Sequence, residues 1–335
     1  MKAVVLVGGE GTRLRPLTET IPKPLIPFMN RPFLHQVLDH LAAHGVNETI
    51  LSSPYLEEGF RGFLESRRGD PAVTWITEKE PLGTSGAVAG ALDHLDETFL
   101  VLNGDILTDL DLTALIKFHR RQGAIGTIAL TRVADARPFG LVETEDDGRI
   151  LAFREKPTEL VPGTVNAGTY VLEPRALAEV PRGVMVSIER ETFPGLIEAG
   201  EPLFAFPSDC YWRDLGTPEA YLQAHFDALE GKMGGHHARP LLGEGAEVAP
   251  DAVVGSMAVL GNGSAVASGA SVDRSVLHEG ASVGEGAVVE LSVLGSRAQV
   301  GAGAVVRDSL LAPGSRVSAG TRVDGARVRP DEVAS

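Results

Sequence analysis

The chain has 335 residues, 43% of them hydrophobic and 22% charged, with a formal net charge of -15. That length allows two domains with cores of their own. The acidic balance excludes a general nucleic-acid binder, which needs clustered Lys and Arg against phosphates, but not a nucleotide enzyme with a local basic loop. A single cysteine, Cys210, excludes an intramolecular disulfide and a cysteine metal centre. The apolar start Met1–Val7 is too short for a signal-peptide core, and no run approaches a membrane span, so a cytoplasmic protein without a membrane partner is expected.

In chain order, the β-branched run Val4–Val7 predicts a buried parallel strand. It leads into Gly8-Gly9-Glu10-Gly11-Thr12-Arg13-Leu14-Arg15-Pro16-Leu17 and then Pro22-Lys23-Pro24. Glycines there remove side chains where a backbone bends sharply and approaches a ligand. Bare N–H groups in such a loop cradle anions. Arg13 adds a planar fork of donors and Lys23 a mobile point charge. The spacing is not the Rossmann G-x-G-x-x-G, and no G-K-[S/T] follows to make a Walker loop. The set suits a nucleoside triphosphate.

Helices are predicted at Phe33–His44, with Pro32 at its start and Gly45 at its stop, and at Leu112–Arg121, stopped by Gly123. Thr49–Leu51, Val73–Ile76 and Phe99–Leu102 read as strands, followed by Ile125–Thr131, Arg149–Phe153 and Val165–Leu172. Between them, Glu78-Lys79-Glu80-Pro81-Leu82-Gly83-Thr84-Ser85-Gly86 reads as a strand, a turn and a helix start capped by Thr84. This rhythm predicts an α/β, Rossmann-like domain over residues 1–230, its mixed sheet mostly parallel with an inserted antiparallel portion. Ligands of such sheets bind outside the carboxyl ends of the strands. Asp105 lies just past one strand and Asp214 just before a helix. Either alone fits a turn former or cap. Phosphoryl transfer gives the pair a reason, since Mg²⁺ takes one or two carboxylates plus substrate phosphates.

Residues 231–242, with Gly231, Gly234, Gly235, His236 and His237, read as a linker whose paired histidines have no further metal ligand nearby. Beyond it Val248, Val254, Leu260, Val266, Val272, Leu277, Val283, Val289, Leu294, Val300, Val306, Leu311, Val317 and Val323 recur in steps of six or five. The pattern closes every 17 residues, as Ser275, Ser292 and Ser309 do. One inward apolar residue per short strand, three strands to a coil, predicts a parallel β-helix of hexapeptide repeats over residues 243–330.

The string G-G-x-G-T-R-L-R-P-L-T with P-K-P resembles the signature of the sugar-nucleotide pyrophosphorylases, nucleotidyltransferases that join a sugar 1-phosphate to an NTP. The tail resembles the left-handed β-helix found on several of them. The resemblance implies an NTP loop at Gly8, Gly9, Gly11, Thr12 and Arg13, with Lys23 also on the phosphates. It implies that Asp105 and Asp214 hold Mg²⁺, Asp105 joining Arg13 and Lys23 in catalysis. The Pro-Leu-Gly-Thr segment would line the base and ribose pocket with Glu80, Pro81, Gly83 and Thr84. Phe153-Arg154-Glu155-Lys156-Pro157 and Asn166-Ala167-Gly168-Thr169-Tyr170 match the sugar-phosphate side. There Lys156 would neutralise the phosphate, Glu155 and Asn166 would take sugar hydroxyls, and Gly140 would let the sugar approach the backbone.

Three features resemble the mannose-1-phosphate guanylyltransferases: Glu80–Thr84, Ser187–Pro194 and the attached tail. They imply GTP and mannose 1-phosphate as substrates, GDP-mannose as product, and a homo-oligomer. Guanine offers two adjacent donors, which Glu80 or Glu78 can accept. The alternatives are a glucose-1-phosphate thymidylyl- or uridylyltransferase and a non-catalytic regulatory subunit of the same superfamily. Retention of Arg13, Lys23, Asp105, Lys156 and Asp214 opposes the latter. A hexapeptide acyltransferase would need a histidine base, for which only His278 is available within the repeats.

Overall fold

The computed structural model describes residues 1–53, 57–234 and 237–335, so Gly235 and His236 of the expected linker lie outside the described residues. In chain order the elements are β1 (Lys2–Leu6), β2 (Pro27–Phe28), β3 (Arg31–Pro32), α1 (Leu34–Ala43), β4 (Glu48–Ser53), α2 (Glu57–Ser66), β5 (Ala72–Thr77), α3 (Gly83–Gly90) and β6 (Phe99–Asn103). There follow β7 (Ile106–Thr108), α4 (Leu112–Gln122), β8 (Gly126–Val133), β9 (Gly140–Thr144), β10 (Ile150–Glu155), β11 (Gly163–Leu172), α5 (Phe193–Glu198), β12 (Leu203–Pro207), β13 (Trp212–Asp214) and α6 (Pro218–Leu229). Pro32 closes the β2–β3 hairpin, and α1 starts two residues later. Gly123 ends α4 in the left-handed conformation, φ 60°, as a residue without Cβ can.

The chain divides into two compact units, Met1–Gly9 with Gln36–Trp212, and Glu10–His35 with Arg213–Ser335. The first holds a nine-stranded sheet with the path β10-β9-β11-β6-β1-β4-β5, on which β8 pairs with β11 and β12. The stretch β6-β1-β4-β5 is parallel, whereas β6–β11, β11–β8 and β9–β10 are antiparallel. Val4, Ile50, Val101, Ile128, Tyr170 and Leu203 are buried in one continuous core with Phe99 and Phe193. Gly104 lets the ends of β1 and β6 close up, because a Cβ there would meet Leu6 O at 2.7 Å. That contact places Asp105 immediately after β6.

The second unit contains the β-helix, whose strands run from Leu241–Leu242 to Val333–Ala334 in three all-parallel ladders of six, six and five. From Val259 onward each ladder advances 17 residues per coil, as in Val259–Val276–Val293–Leu310. The inward row from Leu260 to Val317 is buried in a single stack with the alanines between. The serine repeat has a hydrogen-bonding reason. The hydroxyl of Ser275 accepts from Ser292 N, that of Ser292 from Ser309 N, and that of Ser309 from Ala326 N, each at 3.1 Å. Each hydroxyl also donates to a carbonyl two residues back. The preceding residues Arg274, Leu291 and Asp308 have φ of 43–48°. The five-residue step is therefore a tight corner, and the serine satisfies the backbone groups it would strand.

Candidate active site

Residues 10–35 share their unit with Arg213–Ser335, and there the cations Arg13 and Lys23 meet a carboxylate. Gly11 takes φ 61°, and a Cβ would lie 2.8 Å from Thr18 Cγ2 and 3.2 Å from Lys23 Cβ. Thr18 Oγ1 donates to Gly11 O at 2.8 Å, and Thr12–Leu14 forms one 3₁₀ turn. This geometry brings Arg13 and Lys23 to Asp214. Arg13 Nη2 lies 3.5 Å from Asp214 Oδ2, and Lys23 Nζ lies 3.7 Å from Oδ1. The Lys23 side chain is 8% exposed and that of Arg13 is 59% exposed. The lysine is therefore held in place, whereas the arginine can swing toward a ligand. Gly216 was not singled out from the sequence, yet a Cβ there would collide with Arg13 Nη2. Its signal was the glycine between Asp214 and Thr217, the residue whose hydroxyl caps α6 by accepting from Ala220 N.

The other unit carries Gly8, half-buried, and Gly9, exposed with open space where a Cβ would be. Asp105 is half-buried after β6. Glu78 is 7% exposed. Its carboxylate accepts from Ser52 Oγ at 2.8 Å and from Leu82 N at 3.1 Å, so it shapes the turn rather than offering an edge to a base. Glu80 and Pro81 are exposed. The glycines of this segment have a packing role beside any ligand role. A Cβ on Gly83 would meet Val186 O at 2.7 Å, and one on Gly86 would collide with Val184 O. Ser85 N and Gly86 N donate to Val186 O. Thr84 is not the helix cap: Leu82 holds that position, and no side chain caps it. Instead Thr84 donates to Glu189 Oε2 at 2.8 Å and accepts from Ile188 N at 2.7 Å. The Ser187–Pro194 segment thus braces the start of α3, which explains its place beside Glu80–Gly86 in a shared pattern.

On the expected sugar side, Lys156 Nζ lies 3.7 Å from Glu155 Oε1, with side chains 58% and 19% exposed. Burial pushes the Glu155 carboxyl above its ordinary pKa, and the nearby Glu189 adds to this. Gly140 is required by Phe153 and Glu155, which a Cβ would meet at 2.6 and 2.9 Å. Asn166 is occupied locally. Its amide donates to Tyr170 Oη at 2.8 Å and its carbonyl accepts from Gly168 N at 2.8 Å. The N-A-G-x-Y motif is thereby a bulge in β11, where the register to β8 shifts between Asn166 and Tyr170. Gly168 at φ 72° carries the bulge, and Trp212 Nε1 donates to Ala167 O at 2.9 Å. Cys210 is half-buried with its thiol 3.4 Å from Thr108 Oγ1.

His278 is no base. It is 2% exposed, its Nε2 lies 2.9 Å from Tyr221 Oη, and burial lowers its pKa to about 3. Among the described residues no three His, Cys, Asp or Glu side chains gather to hold a metal. Among the described residues no helix is long and apolar enough to cross a membrane.

A model of the nucleotidyl transferase family matches residues 2–231. The chain belongs to that family. A second model, the GMPPB C-terminal domain, matches residues 238–334 of this nucleotidyltransferase. It is 39% identical over 287 residues to the mannose-1-phosphate guanylyltransferase of Mycobacterium tuberculosis, covering 82% of this chain and 79% of that one. It is 36% identical over 291 residues to mannose-1-phosphate guanylyltransferase 1 of Arabidopsis thaliana, covering 82% and 80%. Among solved structures it is similar to HddC from Yersinia pseudotuberculosis, at 30% identity and TM-score 0.59, over 67% of this chain and 97% of that one. The latter has also been solved complexed with GMP-PN, with the same likeness to this nucleotidyltransferase.

Proposed function

We propose that this nucleotidyltransferase joins GTP to mannose 1-phosphate, giving GDP-mannose and pyrophosphate. The observation that carries the reading is the convergence of Arg13 and Lys23 on Asp214 beside the glycine loop. A triphosphate entering this loop competes with the carboxylate for both cations, and Arg13 is exposed enough to follow it. The names of relatives at 36–39% identity support guanine and mannose.

An oxygen of the sugar phosphate attacks the α-phosphorus, in line with the departing pyrophosphate. The protein's work is positioning and charge stabilisation, with no side-chain nucleophile. Arg13 and Lys23 take the charge that develops on the leaving pyrophosphate. Lys156 takes the sugar phosphate, and Glu155 the sugar hydroxyls. Asn166, whose amide has a second N–H, would take a sugar hydroxyl while it holds the bulge. By the family resemblance Asp105 and Asp214 would each offer one hard carboxylate to Mg²⁺, which takes its remaining ligands from phosphates and water. Bound there, the cation would neutralise phosphate charge. Glu80, exposed while Glu78 is engaged, is the carboxylate left to accept guanine's two donors.

The test is pyrophosphate release from four NTPs with mannose, glucose or N-acetylglucosamine 1-phosphate. GTP with mannose 1-phosphate is expected to give the highest kcat/KM. A higher value for dTTP or UTP would move the reading to a thymidylyl- or uridylyltransferase.

A further inference from the structure

The ladder of the β-helix that contains Leu241 breaks its own rule at its last register. Its successive residues are Leu241, Val259, Val276, Val293, Leu310 and then Arg327. The middle four are at most 3% exposed, although they alternate with the inward row. Helix α6 borders this outer face, since Glu219 and Leu222 line one cleft with Val293, Leu310 and Arg327. An arginine at the sixth register does not continue a buried apolar stripe. Among the described residues no carboxylate pairs with it. Instead its Nη1 donates to Arg13 O at 3.0 Å and to Arg15 O at 2.8 Å.

We infer that Arg327 is a positioning residue for the nucleotide loop: the last coils of the β-helix hold the turn that aims Arg13 at the triphosphate. The inference rests on the proposed function for the identity of the ligand, but not for the clamp. Two carbonyls that flank Leu14 are fixed by one guanidinium. Within the turn Leu14 N donates to Gly11 O at 2.9 Å, Arg15 N to Thr12 O at 3.2 Å and the Thr18 hydroxyl to Gly11 O, and Arg15 Nη2 pairs with Glu10 Oε2 at 3.2 Å. A hydrogen bond to a charged donor is stronger than a neutral one. Arg327 is the group that ties the Arg13 and Arg15 carbonyls to the last coil. Fixing the turn before the nucleotide arrives removes an ordering cost from binding.

The test compares wild type, Arg327→Ala and Arg327→Lys as full-length chains. Hydrogen exchange without substrate should quicken severalfold at the Leu14 and Arg15 amides of Arg327→Ala. Binding of GTP, and KM for GTP, should weaken by about tenfold. KM for mannose 1-phosphate should stay within about twofold, and Arg327→Lys should recover part of the loss. Unchanged exchange at Leu14 and Arg15 overturns the inference. So does an equal loss for both substrates accompanied by a lower melting temperature. Should wild type itself fail to turn over GTP with mannose 1-phosphate, the function reading fails. The exchange difference and the affinity for whichever NTP binds still decide the clamp.

Discussion

At the residue scale, one carboxylate draws two cations together. Asp214 faces Arg13 and Lys23 together, so one carboxylate holds the two cations close while the group keeps a net positive charge for a triphosphate. Removing either cation takes away a partner of the transition-state charge. Arg13→Ala and Lys23→Ala should each lower kcat by about a hundredfold or more. Steady-state rates check this, and turnover near wild type would reject the assignment. Gly216→Ala is a gentler probe of the same geometry. Its Cβ would occupy the place of Arg13 Nη2, and that flexible, exposed side chain can move away. The variant should fold with an unchanged melting temperature and lose about tenfold in kcat/KM. A loss of stability instead would show that Gly216 serves the fold rather than Arg13.

At the scale of elements, much was legible and the gaps have physical reasons. Strands and helices follow hydrophobic periodicity, so β1, β4, β5, β6, α1 and α4 lie within a residue or two of expectation. The 17-residue coil was legible because a β-helix repeats its contacts at a fixed interval. The purpose of Ser275, Ser292 and Ser309 was not, since their value lies in bonds to the next coil. Ser292→Ala leaves Ser309 N without its acceptor inside the stack, at a cost of about 1–3 kcal/mol. A melting temperature lowered by several degrees should follow, and no change would mean that the corner finds another acceptor. The roles of Gly83, Gly86 and Gly140 were legible only as a need for space. Sequence alone could not tell a ligand from the backbone of 184–186 or the ring of Phe153 as the occupant. Thr84 shows the same limit, because a hydroxyl at a helix start looks like a cap until Glu189 and Ile188 claim it from about a hundred residues away.

At the scale of the molecule, the hairpin β2–β3 and α6 share their unit with the repeats. Three buried rings make that unit cohere. Tyr221 Oη donates to Pro27 O, and His278 Nε2–H donates to Tyr221 Oη. His225 donates from Nδ1 to Tyr221 O at 2.9 Å and accepts Met29 N–H on Nε2 at 3.3 Å. The network requires a neutral His225, because a protonated ring cannot accept from Met29. Burial lowers the pKa of His225 to about 4 and that of His278 to about 3, and His40 in the other unit is lowered to about 4. All three bind protons more readily in the unfolded chain, where the ordinary histidine value of about 6.5 applies. Stability therefore rises with pH across this window and is fully present above about pH 6.5. It falls as the pH drops toward about 4, by roughly 2 kcal/mol for each such histidine between pH 6.5 and 5. Urea unfolding at pH 7 and pH 5 should show that loss, and His225→Gln should remove one histidine's share of the pH dependence. A pH slope identical in wild type and His225→Gln would mean that this ring is not held neutral by the fold.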